Sequence, residues 1–285
     1  MQITFWGTRG SIPAPGPDTM HYGGNTSCVE VRLDNGTLIV FDAGTGIRPL
    51  GNALLAQPGP VQIYLLLSHM HWDHIQGLPF FAPAYVKGTQ LSILGPPGGG
   101  QLSLEQSLCD QMRSPYYPIP MHAMEADMHF VELFEDSVYD LSGATIEVSV
   151  LNHPGCSLGY RLAADGKVLV YATDNEPFSE APRAQHLQQP SRLPHLARDA
   201  DVLIQDAQYT PEEYPQRLGW GHSTYLDALH VAQQARAKQL VLYHHDPSHS
   251  DAMIDRIVTK CQGWIKRRRL PLTCVAAAEG LQIRL

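Results

Sequence analysis

The stretch Ser68-His69-Met70-His71-Trp72-Asp73-His74 constrains this chain more than any other part of it. Three histidines and an aspartate fall within six consecutive residues, directly after the apolar run 61–67. A run that apolar, with Tyr64 inside it, reads as a buried strand. The cluster therefore sits where a strand stops and side chains can turn inward on a cavity. Neutral imidazole and carboxylate are ligands that suit zinc and other borderline divalent cations. One such histidine would read as a surface or satisfied core residue; three with an aspartate read as a metal site.

Size and composition narrow the setting. At 285 residues, with 44% hydrophobic and 17% charged residues, the chain suits a large core, expected as one domain over 1–285. No apolar run reaches the ~18 residues a membrane span needs. The N-terminus enters strand-like sequence without a basic region or cleavage site, so a cytoplasmic protein is expected. Five scattered cysteines with no Cys-x-x-Cys pair form neither a disulfide framework nor a thiolate zinc site. A formal charge of −8 opposes non-specific polyanion binding. The basic run Lys266-Arg267-Arg268-Arg269 reads as solvated charge at a helix C-terminus.

The pattern predicts strands over 2–7, 28–33 and 38–41, with Asn35-Gly36 as a hairpin turn. A long polar loop, 8–27, joins the first two strands. Residues 47–57 have a helical apolar pattern, 75–81 read as a short helix or turn, and 91–94 as a strand. Ser103 is a candidate N-cap for a helix to about residue 112, because Gln106 completes a capping box. Residues 114–128 read as a loop covering the site. Strands return over 130–133, 144–151, 158–162 and 168–171, and 183–198 reads as a loop with a weak helix. A strand over 202–204, a helix over 224–237, a strand over 239–243 and a helix over 251–266 follow. A closing strand pair is expected in 272–285. Two groups of strands, each followed by helices, predict an α/β fold of two packed sheets with helices outside.

Further candidate ligands follow apolar runs: His153, Asp174 and His244. Successive strand ends are where such folds build their sites. In the ordered set Asp42, His69-x-His71-x-Asp73-His74, His153, Asp174 and His244, the chain resembles the metallo-β-lactamase superfamily over nearly its whole length. The resemblance implies an αββα sandwich of two mixed β-sheets flanked by helices. It implies His69, His71 and His153 around one metal, Asp73, His74 and His244 around a second, and Asp174 bridging both. Asp42 would support the histidine loop from behind. His245 stands as the alternative last ligand, with His244 preferred because it directly continues the strand. His249 is placed outside the ligand set. His21, His122, His129, His186, His195 and His230 lack such a context and read as structural or exposed.

Fold does not settle function. Gly221-His222-Ser223-Thr224, preceded by Ile204-Gln205-Asp206-Ala207, resembles the phosphodiesterase branch. So does Gly7-Thr8-Arg9-Gly10-Ser11-Ile12-Pro13 with Gly24-Asn25-Thr26-Ser27-Cys28. That branch holds tRNase Z, phosphoribosyl cyclic phosphate phosphodiesterases and cyclic-nucleotide phosphodiesterases. The resemblance implies hydrolysis of a small, cyclic phosphodiester by a hydroxide bridging two divalent ions, zinc first, manganese or iron otherwise. Asp73 would orient the hydroxide, and His222, oriented by Asp206, would donate a hydrogen bond or proton to the phosphate or leaving oxygen. Arg9, Asn25 and Tyr209 are candidates for holding substrate. A tRNase Z-like RNA endonuclease is the alternative. The family's tRNA-gripping arm is a long insertion, whereas only a hairpin's worth of chain links His153 to Asp174 here, so nucleic acid is not the expected partner. A lactone, thioester or lactam hydrolase is the other alternative. A flavin-dependent oxygen-reducing enzyme would need a further domain, and a non-catalytic scaffold would have lost ligands. No membrane partner is expected, and homodimerisation is left open.

Overall fold

Along the strand Leu38–Phe41, Leu38 and Val40 point into one buried layer while Ile39 and Phe41 point into another. Both faces are apolar because helices cover the outside and a second sheet covers the inside. This computed structural model describes residues 1–56, 59–100, 102–176 and 192–285. Its first sheet takes β1 (Gln2–Gly7), β2 (Cys28–Arg32), β3 (Leu38–Phe41), β4 (Gln62–Leu66), β5 (Gln90–Gly95) and β6 (Asp127–Glu132). The second takes β7 (Val138–Asp140), β8 (Thr145–Leu151), β9 (Ser157–Ala164), β10 (Lys167–Ala172), β11 (Val202–Asp206), β12 (Gln239–Tyr243) and β13 (Thr273–Ala276). A final strand, β14 (Gln282–Arg284), returns to the first sheet beside β1. Each sheet has seven strands, in the orders β14-β1-β2-β3-β4-β5-β6 and β13-β12-β11-β10-β9-β8-β7. In both, antiparallel pairing gives way to parallel pairing, at β3–β4 and at β10–β11.

The parallel halves need crossovers, and helices supply them. On the first sheet, α1 (Ile47–Leu55), the single turn α2 (Trp72–Ile75) and α3 (Leu104–Gln111) connect β3 to β6; on the second, α4 (Leu193–Leu196), α5 (Tyr225–Gln234) and α6 (Asp251–Arg268) connect β10 to β13. Ser103 caps α3 as expected: its Oγ accepts from the Gln106 amide at 3.1 Å and Gln106 returns the bond at 2.9 Å. Leu50 and Leu54 of α1 share one buried apolar layer with Val40 and Leu65, and Ile257 and Trp264 of α6 share another with Leu240 and Leu242. Between the sheets lie Phe5, Phe41, Tyr160, Tyr171 and Tyr243. The result is the αββα sandwich. No helix among the described residues is long and apolar enough to cross a membrane.

Some expectations need correction. The strands in 272–285 do not pair with each other: β13 lies parallel to β12, whereas β14 lies antiparallel to β1. The turn between them carries the chain from one sheet to the other, with Gly280 at φ 81° donating to the Phe5 carbonyl at 2.8 Å. Two short strands nearby in sequence look like a hairpin; partner choice is non-local. The half-exposed strand β7 has no apolar run and escapes a sequence reading. The segment 114–128 already enters β6 at Asp127, and its Tyr117 hydroxyl donates to the Pro79 carbonyl at 3.1 Å. It borders a groove beside the histidine loop. Residue 57, at the expected end of the first helix, and 183–191 with His186 lie outside the described residues.

Candidate metal centre

Strands of both sheets deliver their carboxyl ends to one rim. Asp42 follows β3, the histidine loop follows β4, His153 follows β8, Asp174 follows β10, Asp206 ends β11 and His244 follows β12. Three of these residues turn abruptly. Asp42, Asp174 and His244 hold φ of 61°, 47° and 61°. The left-handed region is sparsely used outside glycine, and Asp and His tolerate it better than most residues. The turn aims each side chain across the rim instead of along the strand.

The ring nitrogens are fixed by oxygen acceptors. His74 donates from Nδ1 to Asp42 Oδ2 at 2.7 Å, His153 from Nδ1 to the Gly221 carbonyl at 2.9 Å, and His244 from Nδ1 to Gln208 Oε1 at 3.0 Å. Each bond makes Nδ1 the donor, so that in the neutral ring the lone pair is on Nε2 and faces inward. His74 Nε2 then lies 3.2 Å from His244 Nε2, and His153 Nε2 lies 3.1 Å from His71 Nδ1. His69 Nε2 is buried with no hydrogen-bond partner. Asp174 spans both groups. Its Oδ2 is 3.4 Å from His69 Nε2 and 3.7 Å from His153 Nε2, while its Oδ1 is 3.2 Å from both His74 Nε2 and His244 Nε2. Asp73 Oδ2 sits 3.1 Å from His244 Nε2 and 3.2 Å from His74 Nε2, and accepts the Ser11 amide at 2.7 Å.

These groups suit divalent cations. The sets His69, His71, His153, Asp174 and Asp73, His74, His244 each bring all their ligand atoms within 4.8 Å of one another, and only His71 is exposed. Asp42, Asp73, Asp174 and Asp206 are buried, and among the described residues no lysine or arginine pairs with them. Buried carboxylates without a compensating cation are costly. Facing lone pairs and an orphaned imidazole nitrogen ask for the same remedy.

Protonation preferences follow. Burial, aided by neighbouring imidazoles, pushes His69 well below the ordinary histidine value, and burial takes His153 down to about 4 against the pull of Asp174. Burial also opposes charge on His74, yet Asp73, Asp174 and Asp42 hold it well above the ordinary value. His222 behaves likewise: burial lowers it, but Asp206, then Asp174 and Asp73, raise it to about 9. Carboxylates that draw protons onto buried imidazoles also draw metal cations.

His222 stands beside this cluster. Its Nδ1 donates to Asp206 Oδ2 at 2.7 Å, and its ring stacks on His244 with centroids 5.0 Å apart. Asp206 is fully buried and its other oxygen accepts the amides of Gln208 at 3.0 Å and Ser223 at 3.3 Å. Close approach is built in. A Cβ at Gly221, whose φ is 92°, would fall 2.1 Å from His153 Nδ1, and one at Gly10 would fall 2.4 Å from His244 Nδ1.

Of the two adjacent histidines, His244 faces the cluster. His245 turns away, bonding the Ala277 carbonyl at 2.9 Å, and burial drives it down to about 3. His249 pairs with Glu213 at 2.9 Å, and His21, His122, His129, His195 and His230 are exposed.

Two of the substrate candidates are occupied otherwise. Arg9 is fully buried; its guanidinium donates to the carbonyls of Gly23 at 2.7 Å, His249 at 2.7 Å and Asp246 at 3.1 Å. It ties the 8–27 loop to the chain after β12 and offers no face to a phosphate. The Asn25 amide donates to Glu279 at 3.0 Å. Tyr209 is buried with its ring 5.8 Å from that of His222, edge to face, and so lies beside the site.

Tyr171, Gln208 and Glu176 are partners that sequence reasoning missed. Tyr171 donates to Asp42 at 2.6 Å, and buried Glu176 accepts the Gly221 amide at 2.6 Å. Only Gln208, two residues after Asp206, had a local signal.

A family model described as "Beta-lactamase superfamily domain" matches residues 37–245. Ribonuclease Z of Staphylococcus aureus (strain MSSA476) is 23% identical over 301 residues, spanning 90% of this chain and 92% of that protein. The metallo-β-lactamase fold protein YhfI of Bacillus subtilis superposes with a TM-score of 0.71 at 18% identity, covering 99% of this chain and 98% of that one. A diphosphatase of the PhnP family superposes with a TM-score of 0.67 at 20% identity, covering 100% and 97%.

Proposed function

The chain belongs to the β-lactamase superfamily, and on that footing we propose that it is a metal-dependent phosphodiesterase hydrolysing a small, cyclic phosphodiester. The observation that carries this reading is the Asp206–His222 pair, 2.7 Å apart, with His222 Nδ1 4.0 Å from Asp174. A fixed imidazolium beside a cation cluster suits a reaction that needs charge neutralised on a phosphate and a proton for the leaving oxygen. The names of two similar proteins, a ribonuclease and a diphosphatase, denote action on phosphate linkages.

In this reading His69, His71 and His153 would hold one divalent cation and Asp73, His74 and His244 a second, with Asp174, whose two oxygens face the two groups, available to both. Zinc suits these ligands, and manganese or iron are acceptable to them. Such cations would supply an activated water near neutral pH and charge to neutralise the phosphate. Asp73, its Oδ2 already tied to Ser11 and facing His74 and His244, orients the attacking water. Asp206 holds His222 by Nδ1 and favours the doubly protonated ring, whose Nε2–H is then available to the substrate. Asp42 fixes His74 by Nδ1 and keeps its Nε2 lone pair inward.

RNA cleavage is the second reading, and the ribonuclease Z relatives favour it. They also leave the expectation that nucleic acid is no partner without support. Against a tRNA-gripping arm between His153 and Asp174 stands the tight β9–β10 hairpin, which turns at Asp165-Gly166.

The test is an assay of zinc- or manganese-loaded protein against cyclic phosphodiesters, bis-p-nitrophenyl phosphate, a precursor tRNA, a lactam and a thioester. Cyclic phosphodiesters should be cleaved best. Turnover of the lactam or thioester alone would replace the proposal with a non-phosphate hydrolase. His222→Ala should lower turnover ~10²–10⁴-fold with metal content intact; unchanged turnover, or loss of metal, would defeat the role given to His222.

A further inference from the structure

His222 is held from both sides by the two residues that follow Asp174. The Ser223 hydroxyl donates to the Asn175 carbonyl, and Glu176 Oε2 accepts the Gly221 amide at 2.6 Å. Glu176 Oε1 accepts the Gly219 amide and the Tyr214 hydroxyl, both at 2.8 Å. The Glu176 amide donates to the Asn152 carbonyl at 2.7 Å, beside His153. Asn175 reaches the partner of His222 as well, with its amide 3.4 Å from Asp206 Oδ2. Asp174, Asn175 and Glu176 thus connect the histidine–aspartate cluster to both chain neighbours of His222 and to Asp206.

The backbone is shaped for this grip. Gly219 and Gly221 have φ of 86° and 92°, in the left-handed region that favours glycine. Their N–H groups converge on one carboxylate, as backbone amides in such turns do on an anion. Gly221 is fixed from a second direction, since its carbonyl accepts from His153 Nδ1 at 2.9 Å. The neck of the 210–221 loop is closed without Glu176: Tyr209 donates to the Ser223 carbonyl and Tyr225 to the Tyr209 carbonyl, each at 3.1 Å. A carboxylate that only braced the loop could sit anywhere along it. This one is fully buried and takes the amide of the residue immediately before His222.

We propose that Glu176 is a positioning residue that sets how far the His222 ring stands from Asp174, its Nδ1 now 4.0 Å from that carboxylate. Its effect on turnover rests on the phosphodiesterase reading; its hold on the loop does not. In that reaction a water oxygen bonds to phosphorus, and the bond to the leaving oxygen breaks with its electron pair on that oxygen. The proton on His222 Nε2 passes to the leaving oxygen. The water gives its own proton to solvent, from which His222 is reloaded. Moving the ring by ~1 Å can cost ~10²-fold in rate.

Glu176→Gln keeps the shape of the side chain but turns an NH2 group toward an amide N–H. In zinc-loaded protein with isotopically labelled glycine, the Gly221 amide should exchange roughly 10–100-fold faster by NMR, with zinc content as in the wild type. Turnover of diphenyl phosphate, whose phenolate needs the proton, should fall ~10²-fold in kcat with KM nearly unchanged. Bis-p-nitrophenyl phosphate has a leaving group stable as an anion and should lose far less. In the His222→Ala background Glu176→Gln should have almost no further effect, as residues acting through one group are not additive. Tyr214→Phe removes one donor and keeps both amides. It should show the same leaving-group dependence at smaller amplitude, and it carries the test if Glu176→Gln does not fold. Equal losses on both substrates, or effects that add in the double variant, would overturn the role of Glu176. Weakened zinc affinity with normal kcat at saturating zinc would overturn it too, as would unchanged Gly221 exchange. Faster Gly221 exchange, in a protein whose wild type turns over no phosphodiester, would keep Glu176 as the holder of the His222 loop and remove the phosphodiesterase reading.

Discussion

At the scale of single residues, the site depends on hydrogen bonds one layer behind the histidines. Asp42 accepts from the Ser68 amide at 2.7 Å, the Ser68 hydroxyl at 2.9 Å, His74 Nδ1 at 2.7 Å and the Tyr171 hydroxyl at 2.6 Å. Tyr171 is fully buried, and burial first, then Asp42, pushes its phenol well above the ordinary value, so it stays a donor. Tyr171→Phe should leave the fold intact at a cost of about 1 kcal/mol. Its effect should fall on metal affinity, weaker by roughly 10–100-fold, read by competition with a chromogenic chelator. Wild-type affinity in that variant would remove Tyr171 from the support of His74. The resemblance placed Asp42 behind the histidine loop, and the structure pairs it with His74. Sequence held no hint of Tyr171, which reads as one more apolar strand residue until the second sheet is laid over the first.

At the scale of elements, the parallel strands β10, β11 and β12 must be held in register for Asp174, Asp206 and His244 to meet. Part of that hold is Asp201, just before β11. It accepts the Val168 amide of β10 at 2.9 Å and pairs with Lys238, just before β12, at 2.8 Å. Burial works against its charge, but Lys238, the Val168 amide and Lys167 keep its carboxyl below the ordinary 3.8. A depressed carboxylate contributes stability that is present above about pH 3.8 and lost as pH falls through the lower folded-state value. Asp201→Asn should therefore cost about 1 kcal/mol near neutrality, measured by urea unfolding, and the gap from wild type should close below pH 3.8. A gap constant down to pH 2 would show that packing, and not charge, separates the two. Strands such as β3 and β12 were legible because both faces are apolar and turn residues bound them. The short β7 was not, since a half-exposed edge strand has no such run.

At the scale of the whole molecule, the candidate centre lies across the sandwich. His69, His71, Asp73 and His74 come from the first sheet, and His153, Asp174 and His244 from the second. A cation bound among them binds the folded chain and not the unfolded one. At a hundred times Kd it should add ~2.7 kcal/mol, or roughly 5–10 °C in Tm, and a chelator should reverse the shift. Calorimetry showing no change with zinc or manganese would mean that the seven residues do not hold a cation together. The sequence by itself determined the layered α/β class, the order of most strands and helices along the chain, and the residue types gathered at the strand ends. Those properties are local: period-two burial, turn chemistry and the donor atoms of histidine and aspartate. Only the tertiary structure decided which of His244 and His245 faces inward, that Arg9 braces a loop, that β13 and β14 part to different sheets, and that a groove opens beside Trp72. Each of these depends on which distant surfaces meet, and the histidine loop became a centre only where the second sheet brought Asp174 and His244 to it.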